Sequence, residues 1–175
     1  MSNEEQLSFI APPFRTITRP VKAVHLSLFI DGASRGNPGP SGIGAHVVDG
    51  TKNIIFNDGL YFGKKTNNQA EYLALVYGVW KIHHQFKDQE VKLKVVSDSL
   101  LLIKQMQGEY RVKNPQLIVL KNLADKLCST MSCTFAHVLR EYNTTADALA
   151  NEGVDTKKAP PEPFKTLLTK YGFPV

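Results

Sequence analysis

The sequence predicts an α/β fold in which helices flank a five-stranded mixed sheet. Three segments rich in β-branched and aromatic residues follow one another between residues 25 and 62, with only turn-forming residues between them. Beyond residue 66, segments with helical periodicity alternate with two further strand-like runs. The order β-β-β-α-β-α-α-β-α predicts that the first three strands are antiparallel and that helices cover both faces of the sheet.

The bulk composition is that of one domain of ordinary size. The chain has 175 residues, of which 42% are hydrophobic and 21% are charged, as in globular proteins. No apolar run approaches the ~20 residues that span a bilayer, so no membrane partner is expected. The first residues are acidic where a signal peptide would be basic, which predicts a cytoplasmic location. Cys128 and Cys133 predict reduced, packed thiols, because one C-x4-C spacing is a weak zinc signal.

The charge balance favours a polyanionic partner. Lys and Arg total 21 and Asp and Glu total 16, which gives a formal net charge of +5 at pH 7. If some of the acids bind metal ions, the rest of the surface is more basic than this total suggests. Basic proteins are common, so the charge alone gives only a mild preference for nucleic acid.

The stretch from Val24 to Asp49 predicts two strands joined by a tight turn. The first strand, about His25–Asp31, is apolar enough to be central and buried, yet it ends in a carboxylate. Burying that carboxylate is costly unless a metal ion or a basic side chain holds it. A turn rich in Gly and Pro covers residues 32–40, and the second strand, about Gly42–Val48, begins with almost no side chain.

A third strand and the first helix come next. The strand covers residues 54–62, and the residues at 57–59 (Asn-Asp-Gly) predict a bend or bulge inside it. Residues 66–68 offer three caps for a helix that should run to about Phe86. Glu71 lies near the start of this helix, beside its buried face. Taken singly, Glu71 is explained by a favourable interaction with the helix dipole.

A second carboxylate ends the next strand. The run from Val91 to Ser97 alternates between apolar and polar residues and is followed by Asp98. A short helix from Leu100 to about Gln107 comes directly afterwards. Asp98 or a neighbouring serine can cap that helix, a role compatible with a second function for the carboxylate.

The remaining elements are a helix, a strand and a helix. Pro115 marks the first position of a helix with a clear apolar face. Residues 132–138 form the last strand. Asn143 or Thr144 then caps a helix that carries Asp147 in its first turn.

Four segments of the chain, in order, resemble the motifs of type 1 ribonuclease H, the nuclease that cuts the RNA strand of RNA–DNA hybrids. They are DGASRGNPGPSGIGA from Asp31, TNNQAE from Thr66, SDS from Ser97 and HVLREYNTTADALA from His137. The resemblance covers roughly residues 24–154. It implies the ribonuclease H-like fold and endonucleolytic cleavage that leaves 5′-phosphate and 3′-hydroxyl ends.

The resemblance divides the chain into three regions. Residues 1–22 form an N-terminal extension whose prolines disfavour a helix, and residues 23–154 form the ribonuclease H catalytic domain. Residues 155–175 form a C-terminal tail with a possible short helix at 163–170. A monomer is expected.

The acids of the four motifs predict one metal site. Asp31 and Asp98 end strands while Glu71 and Asp147 begin helices, and these ends meet at one edge of an α/β sheet. Acids that converge there repel one another unless cations bind, and oxygen ligands suit Mg²⁺ or Mn²⁺. Such a site supports hydrolysis of phosphodiesters by two metal ions. The resemblance implies that these four carboxylates are the catalytic ligands of two Mg²⁺ ions, with Mn²⁺ as a substitute and Asp31 as the bridging ligand.

The resemblance also implies which residues bind the hybrid. Small, closely approaching backbone would read the 2′-hydroxyls of the RNA strand, and polar side chains would hold a phosphate of the DNA strand. The expected RNA contacts are Ala33, Ser34, Arg35, Asn67 and Asn68, and the expected DNA contacts are Asn37 and Thr66, with Gln69 beside them. Each of these residues has an alternative explanation as a turn or cap residue.

Two departures from the family pattern bear on the mechanism. Well-known members have a mobile histidine loop before the last carboxylate, which assists proton transfer or product release. Here His137 falls at the end of an apolar strand, so a structural role explains it equally well. Arg140 or Glu141 would then take the place of the family's mobile histidine. Many members also read RNA with a glutamine directly after the D-S pair, where this chain has Leu100.

The chain is too short to contain the extra basic helix, or basic protrusion, with which some members grip the substrate. The positive charge that binds the substrate would come instead from Arg111, Lys113, Lys121, the N-terminal extension or a partner domain. The alternatives to a hybrid-specific nuclease are a nuclease that also cuts double-stranded RNA, a 3′-exonuclease, and a non-catalytic module that binds hybrids. The presence of all four carboxylates disfavours the last of these.

Overall fold

A computed structural model describes residues 22–174, so residues 1–21 of the predicted N-terminal extension lie outside the described residues. The elements, in chain order, are β1 (Val24–Ser34), β2 (Gly39–Asp49), β3 (Ile54–Lys65), α1 (Asn67–Gln85), β4 (Val91–Ser97), α2 (Leu100–Met106), α3 (Pro115–Cys128), β5 (Ser132–His137), a 3₁₀ turn (Arg140–Tyr142), α4 (Thr144–Thr156) and α5 (Glu162–Lys170).

The sheet has the strand order β3-β2-β1-β4-β5. The pairs β1–β2 and β2–β3 are antiparallel, whereas β4 runs parallel to both β1 and β5. The predicted five-stranded mixed sheet is therefore confirmed. Its central strand, β1, places Leu26, Leu28 and Ile30 in the core, each with 2% exposure or less.

Helices cover both faces of the sheet. Gly78 of α1 lies directly over Leu28, and Gly44 of β2 lies against the backbone of α4 at Ala146. Gly44 pairs with Asp31, three residues from Leu28, so the two contacts lie on opposite faces. Helix α1 is buried on most sides because α3 also packs against it.

The start of α1 is set by a capping box. The Thr66 hydroxyl accepts a hydrogen bond from the Gln69 backbone N–H, and the Gln69 side chain accepts one from the Thr66 N–H. The predicted helix from this cap to about residue 86 is confirmed. The cap and the buried face together place Glu71 at the end of α1 that meets the carboxyl end of β1.

The turn between β1 and β2 is shorter than predicted. Ser34 pairs with Ser41, and the strands run on to Ser34 and from Gly39, which leaves a turn of only residues 35–38. The prediction assigned the glycines to the turn. Two of them, Gly32 and Gly39, lie within the strands instead, and a Cβ atom at Gly32 would collide with the backbone of α1.

The predicted bulge at residues 57–59 is wrong. Those residues pair in regular register with β2, and Gly59 pairs with Gly44. The register shifts lie on either side of these residues, because Val47 pairs with Phe56 and Val48 with Ile54, whereas Gly42 pairs with Tyr61 and Pro40 with Lys64. Residue 59 is a glycine for another reason, because a Cβ atom there would lie only 2.3 Å from the carbonyl oxygen of Leu149 in α4.

The C-terminal segment packs onto the core. Phe164 of α5 is fully buried, and its ring makes an edge contact with Tyr77 at 5.2 Å between centroids. Phe173 is 2% exposed. The short helix predicted at residues 163–170 is confirmed and begins one residue earlier. In the part of the chain from residue 22 to residue 174, no helix has the length and apolar character needed to cross a membrane.

Candidate active site

Two strand ends and two helix starts meet in a cleft of about 400 Å³ at the edge of the sheet. Asp31 of β1 is only 6% exposed, and Asp98 follows the last residue of the parallel neighbour β4. Glu71 comes from the first turns of α1 and Asp147 from the first turn of α4. All four predicted carboxylates line this one cleft.

Three of the acids form a tight cluster. One carboxylate oxygen from each of Asp31, Glu71 and Asp98 lies within 4.8 Å of the other two. Asp147 lines the same cleft outside this cluster, and it accepts a hydrogen bond of 2.5 Å from the Arg140 guanidinium. The structure thus brings the four acids together but distinguishes a cluster of three from a fourth that is paired with a cation.

Close contacts between the backbones of strands and helices position Glu71 and Asp147, the two acids that lie on helices. At Gly32, directly after Asp31, a Cβ atom would lie 2.3 Å from the backbone nitrogen of Glu71. At Gly44, which pairs with Asp31, a Cβ atom would lie 2.0 Å from the carbonyl oxygen of Ala146. Only glycine permits both contacts, so the small residues of the first motif allow α1 and α4 to reach the end of β1.

Asn143 connects the strand ends to α4. Its side chain is 2% exposed and donates one hydrogen bond of 2.9 Å to the carbonyl of Ile30 and one of 3.2 Å to the Asp98 carboxylate. The prediction assigned Asn143 or Thr144 to a helix cap. Asn143 is the N-cap residue of α4 by position, but its side chain makes no capping hydrogen bond, because the amide is turned toward the acids.

The environment of the cluster favours protonated acids when no cation is bound. Burial raises the pKa of Asp31 to about 7, and repulsion from Asp98 and Asp147 adds to the effect of burial. Burial, followed by the charges of Asp31 and Asp98, also raises the pKa of Glu71 well above its usual range. Such shifts accompany sites that are built to bind cations or to transfer protons.

The donor set of the cluster fits a divalent metal ion. The Oε2 atom of Glu71 is buried and has no hydrogen-bond partner among residues 22–174, which is costly unless something binds it. The three clustered ligands are carboxylate oxygens, the ligand type that hard cations such as Mg²⁺ and Mn²⁺ prefer. A cation would neutralise the repulsion and also satisfy the Glu71 oxygen.

The predicted substrate residues fall into two groups. Ala33, Ser34 and Asn67 line the cleft itself. Beside it, the Asn37 side-chain oxygen accepts a hydrogen bond of 3.2 Å from the Asn67 backbone N–H, which joins the β1–β2 turn to the start of α1. The other predicted contacts outside the cleft lining are Arg35, Thr66, Asn68 and Gln69.

Structural partners explain several residues of the second group. Arg35 is paired with Asp155 at 2.5 Å, and Thr66 and Gln69 form the capping box of α1. The Gln69 side chain also donates to Gln116 at the start of α3. The alternative explanation of Thr66 as a helix cap is therefore correct. The expected contact of Thr66 with DNA stays a prediction.

The three candidates for proton transfer lie at different distances from the acids. His137, at the end of β5, has a ring nitrogen 3.2 Å from the backbone oxygen of Asp98. Arg140 lines the cleft, and the exposed Glu141 does not. Ser99 and Asn151 also line the cleft, although no role in the chemistry was predicted for either residue. Asn151 lies one turn of α4 beyond Asp147, a spacing that identifies it in retrospect.

A sheet of order β3-β2-β1-β4-β5 with acids at the ends of its two parallel central strands defines the class of ribonuclease H-like proteins. A family model described as reverse transcriptase-like matches residues 29–153. Ribonuclease HI of Halobacterium salinarum is 36% identical over 140 residues, which cover 79% of this chain and 69% of that relative. The chain belongs to the type 1 ribonuclease H family, so the predicted family, fold and enzyme class are confirmed.

Two further relatives agree. The bifunctional protein Rv2228c of Mycobacterium tuberculosis is 36% identical over 151 residues, and the match spans 80% of this chain but only 39% of that protein. The crystal structure of LC11-RNase H1 in complex with an RNA/DNA hybrid has a TM-score of 0.71 and 35% identity. The similarity covers 75% of this chain and 97% of that one.

Proposed function

We propose that this protein is an endonuclease that hydrolyses the RNA strand of RNA–DNA hybrids and leaves 5′-phosphate and 3′-hydroxyl ends. The observation that carries the proposal is the cluster of Asp31, Glu71 and Asp98, whose oxygens lie within 4.8 Å of one another. The cluster lies in a chain 35% identical to a ribonuclease H1 that was crystallised with an RNA/DNA hybrid.

The cofactor is two Mg²⁺ ions, with Mn²⁺ as a substitute. Asp31, Glu71 and Asp98 would hold them together with Asp147, and Asp31, whose carboxyl is repelled by both Asp98 and Asp147, would be the shared ligand. The chemistry that such ions would supply is activation of a water molecule for attack on the phosphorus and stabilisation of the leaving 3′-oxygen. The orphaned Oε2 atom of Glu71 supports the same assignment.

The other residues of the chain hold charge and orientation. Arg140 neutralises Asp147, and Asn143 fixes the rotamer of Asp98 through its amide hydrogen bond. His137, next to the backbone of Asp98, and the exposed Glu141 remain candidates for proton transfer or product release. Arg140 and Asn143 would act by keeping Asp147 and Asp98 in place.

Recognition of the hybrid uses the edge of the cleft that is formed by small residues. Ala33, Ser34 and Asn67 line the cleft and would meet the RNA strand, with Arg35 and Asn68 beside them. The DNA strand would lie over Asn37 and Thr66, next to Gln69. The loop of residues 107–114 joins α2 to α3. We propose that the protein lacks a basic protrusion and that Arg111, Lys113 and Lys121 supply the positive charge that grips the substrate.

The remaining proposals concern the whole protein. Cys128 and Cys133 are free, as expected of a protein from a reducing compartment, and we propose a cytoplasmic monomer. Cell fractionation and light scattering would check the two statements. We propose that the catalytic domain begins near residue 23.

The test is cleavage of a labelled hybrid of 12 to 20 nucleotides, resolved on a gel, with Mg²⁺, Mn²⁺ or EDTA. Duplex RNA and single strands are run beside it. Asp31→Asn removes a clustered acid, and Asp125→Asn serves as the matched control because Asp125 forms a surface pair with Lys121. Cutting of the hybrid's RNA alone, lost in Asp31→Asn but not in Asp125→Asn, is expected.

Two results would overturn parts of the proposal. Binding of the hybrid without cleavage under every metal would mean a non-catalytic module. Cleavage of duplex RNA at a comparable rate would mean that selectivity for the hybrid is absent.

A further inference from the structure

Among residues 22–174, helix α4 covers only the part of its sheet face that lies near the active site, and the rest of that face is open. We call this uncovered part the open face. Its members alternate along each strand, since every second residue points to the same side. They are His25, Ser27 and Phe29 on β1, His46 and Val48 on β2, Ile54 and Asn57 on β3, Lys92 and Lys94 on β4, and Ser132 and Thr134 on β5.

The register places these side chains in rows across the strands. His25 pairs with Lys92 and Ser27 with Lys94 on one side, and Phe29 pairs with His46 on the other. The residues between them, such as Leu26 and Leu28, point to the opposite face and are buried. The open face thus contrasts with the core face of the same strands, because it combines lysine, histidine and aromatic side chains.

Aromatic rings lie on this surface in reach of a ligand. The rings of Phe29 and His46 are 5.6 Å apart, and both residues are partly exposed. Tyr142, from the 3₁₀ turn, shares a hollow of about 180 Å³ with these two residues and is 68% exposed. Exposed rings of this kind are what the bases of single-stranded nucleic acid stack on.

The charge of the open face is positive. Lys92 and Lys94 are exposed, and within residues 22–174 neither forms an ion pair with a carboxylate. Lys52 lies at the far end of the same surface. The acid at that end, Asp49, accepts hydrogen bonds from Thr51 and Asn53 of its own turn. A polyanion would therefore find unpaired cations beside the rings.

The open face continues from the candidate active site. Phe29 precedes Asp31 by two residues and points to the same side of β1. Between the cleft and the open face lies the 3₁₀ turn, of which Arg140 lines the cleft and Tyr142 lines the hollow around Phe29. A strand that leaves the cleft over this turn would reach the rings and then the lysines.

We propose that the open face binds single-stranded nucleic acid that continues from the hybrid held in the candidate active site. The proposal rests on the proposed function, since the single strand is an overhang of the substrate. A second copy of this chain is a poorer occupant, because a two-fold contact through this surface would bring lysines toward lysines. Overhanging hybrids should bind more tightly than blunt ones.

The test measures binding and cleavage separately. Fluorescence anisotropy with a labelled 20-nucleotide single-stranded DNA reports on the open face without any cleavage. Lys92→Glu/Lys94→Glu reverses the charge of the face, and Lys157→Glu/Lys170→Glu makes the same change of net charge at exposed lysines elsewhere. Tyr142→Ala removes a ring, and Tyr142→Phe retains it. Cleavage of blunt and overhanging hybrids is measured with the same proteins, and melting temperatures confirm folding.

We expect the Kd for the single strand to rise at least fivefold in Lys92→Glu/Lys94→Glu and less than twofold in the control pair. Tyr142→Ala should weaken binding and Tyr142→Phe should not, while all variants cut the blunt hybrid at the wild-type rate. Equal losses in the two double variants would overturn the proposal, as would a dimer that Lys92→Glu/Lys94→Glu dissociates. If the blunt hybrid is not cut although the pattern of single-strand binding holds, the proposed function fails and the open face stands.

Discussion

At the scale of single residues, the acid cluster opposes folding when no cation is present. Asp31 and Glu71 lose water on folding and meet like charges, and both changes raise their pKa. The fold tolerates this loss of stability because the same arrangement of acids is suited to bind metal ions. Stability and function therefore make opposite demands on these positions.

Asp31→Asn should raise the melting temperature in EDTA at pH 8, since it removes one of the repelling charges. A gain of about 1 kcal/mol would appear as a rise of about 2–4 °C in a chain of this size. Hybrid cleavage should fall by about a hundredfold or more, because a clustered ligand is lost. Differential scanning fluorimetry and gel assays measure the two effects. Asp125→Asn should change neither, and a lower melting temperature for Asp31→Asn would contradict the electrostatic explanation.

Asn143 is the second residue that links structure to the site. Its amide holds the carbonyl before Asp31 and the carboxylate of Asp98, and Asp147 donates its backbone N–H to the Asn143 carbonyl. Asn143→Leu should lower stability by about 1–3 kcal/mol, as expected for lost buried hydrogen bonds. It should also raise several-fold the Mg²⁺ concentration that gives half-maximal cleavage.

Tyr77→Phe is the matched control for this prediction. Tyr77 donates a hydrogen bond to Asp58 away from the active site, so its loss lowers stability without touching the acids. Urea denaturation and metal titration are run on both variants. If both show the same metal requirement as the wild type, Asn143 has only a structural role.

At the scale of elements, glycine positions decide how close the helices come to the sheet. Gly44→Ala places a Cβ atom where the Ala146 carbonyl lies, so α4 must move away and carry Asp147 with it. We expect a loss of about 2–4 kcal/mol from overpacking and backbone shift, and a strong loss of cleavage. Gly50→Ala is the control, because its nearest neighbour would be 3.6 Å away. Equal stability of the two variants would contradict this account of α4.

The C-terminal helix belongs to the folded domain by its packing. Phe164 contacts the rings of Tyr77, Trp80 and Phe62, although the segment lies beyond the region of family resemblance. We propose that the domain extends to about residue 174 rather than ending at 154. Phe164→Ala should cost about 3–5 kcal/mol in urea denaturation. Thr166→Ala, exposed on the same helix, should cost almost nothing. A cost below 1 kcal/mol for Phe164→Ala would show that α5 is dispensable.

At the scale of the whole molecule, the order of strands and helices and the meeting of the acids were predictable from local patterns. Asp31 and Asp98 were placed by the strands that they end, and Glu71 and Asp147 by the helices that they begin. These patterns depend on periodicity and caps, which are local in sequence.

What escaped prediction depends on contacts between distant segments. Gly59 suggested a bulge because glycine commonly marks one, but its cause is the backbone of α4, about 90 residues away. Asn143 suggested a cap, and only the folded chain shows its amide turned to Ile30, 113 residues away. The pair of Asp147 and Arg140 is an exception, because it joins residues only seven apart and was still not predicted.

The response of the whole protein to pH and metal ions follows from the raised pKa of Asp31 and of Glu71. Without metal, the folded chain retains a proton on Asp31 up to about pH 7, whereas the unfolded chain releases it near the ordinary value of 3.8. The stability that this proton provides is complete below pH 3.8 and is lost as the pH rises through about 7. The raised pKa of Glu71 makes stability fall with rising pH in the same direction.

Metal binding displaces the same protons, so the affinity for Mg²⁺ should rise with pH. Melting temperatures recorded from pH 5.5 to 8.5 should therefore fall in EDTA relative to Mg²⁺, with a gap that widens as the pH rises to about 7. In Asp31→Asn the gap should be small and change little with pH, because both the titrating group and a metal ligand are gone. A gap in the wild type that is constant between pH 6 and 8 would mean that the clustered acids are already ionised at pH 6. Another positive group would then have to compensate their charge, and the nearest one is Arg140, which is paired with Asp147.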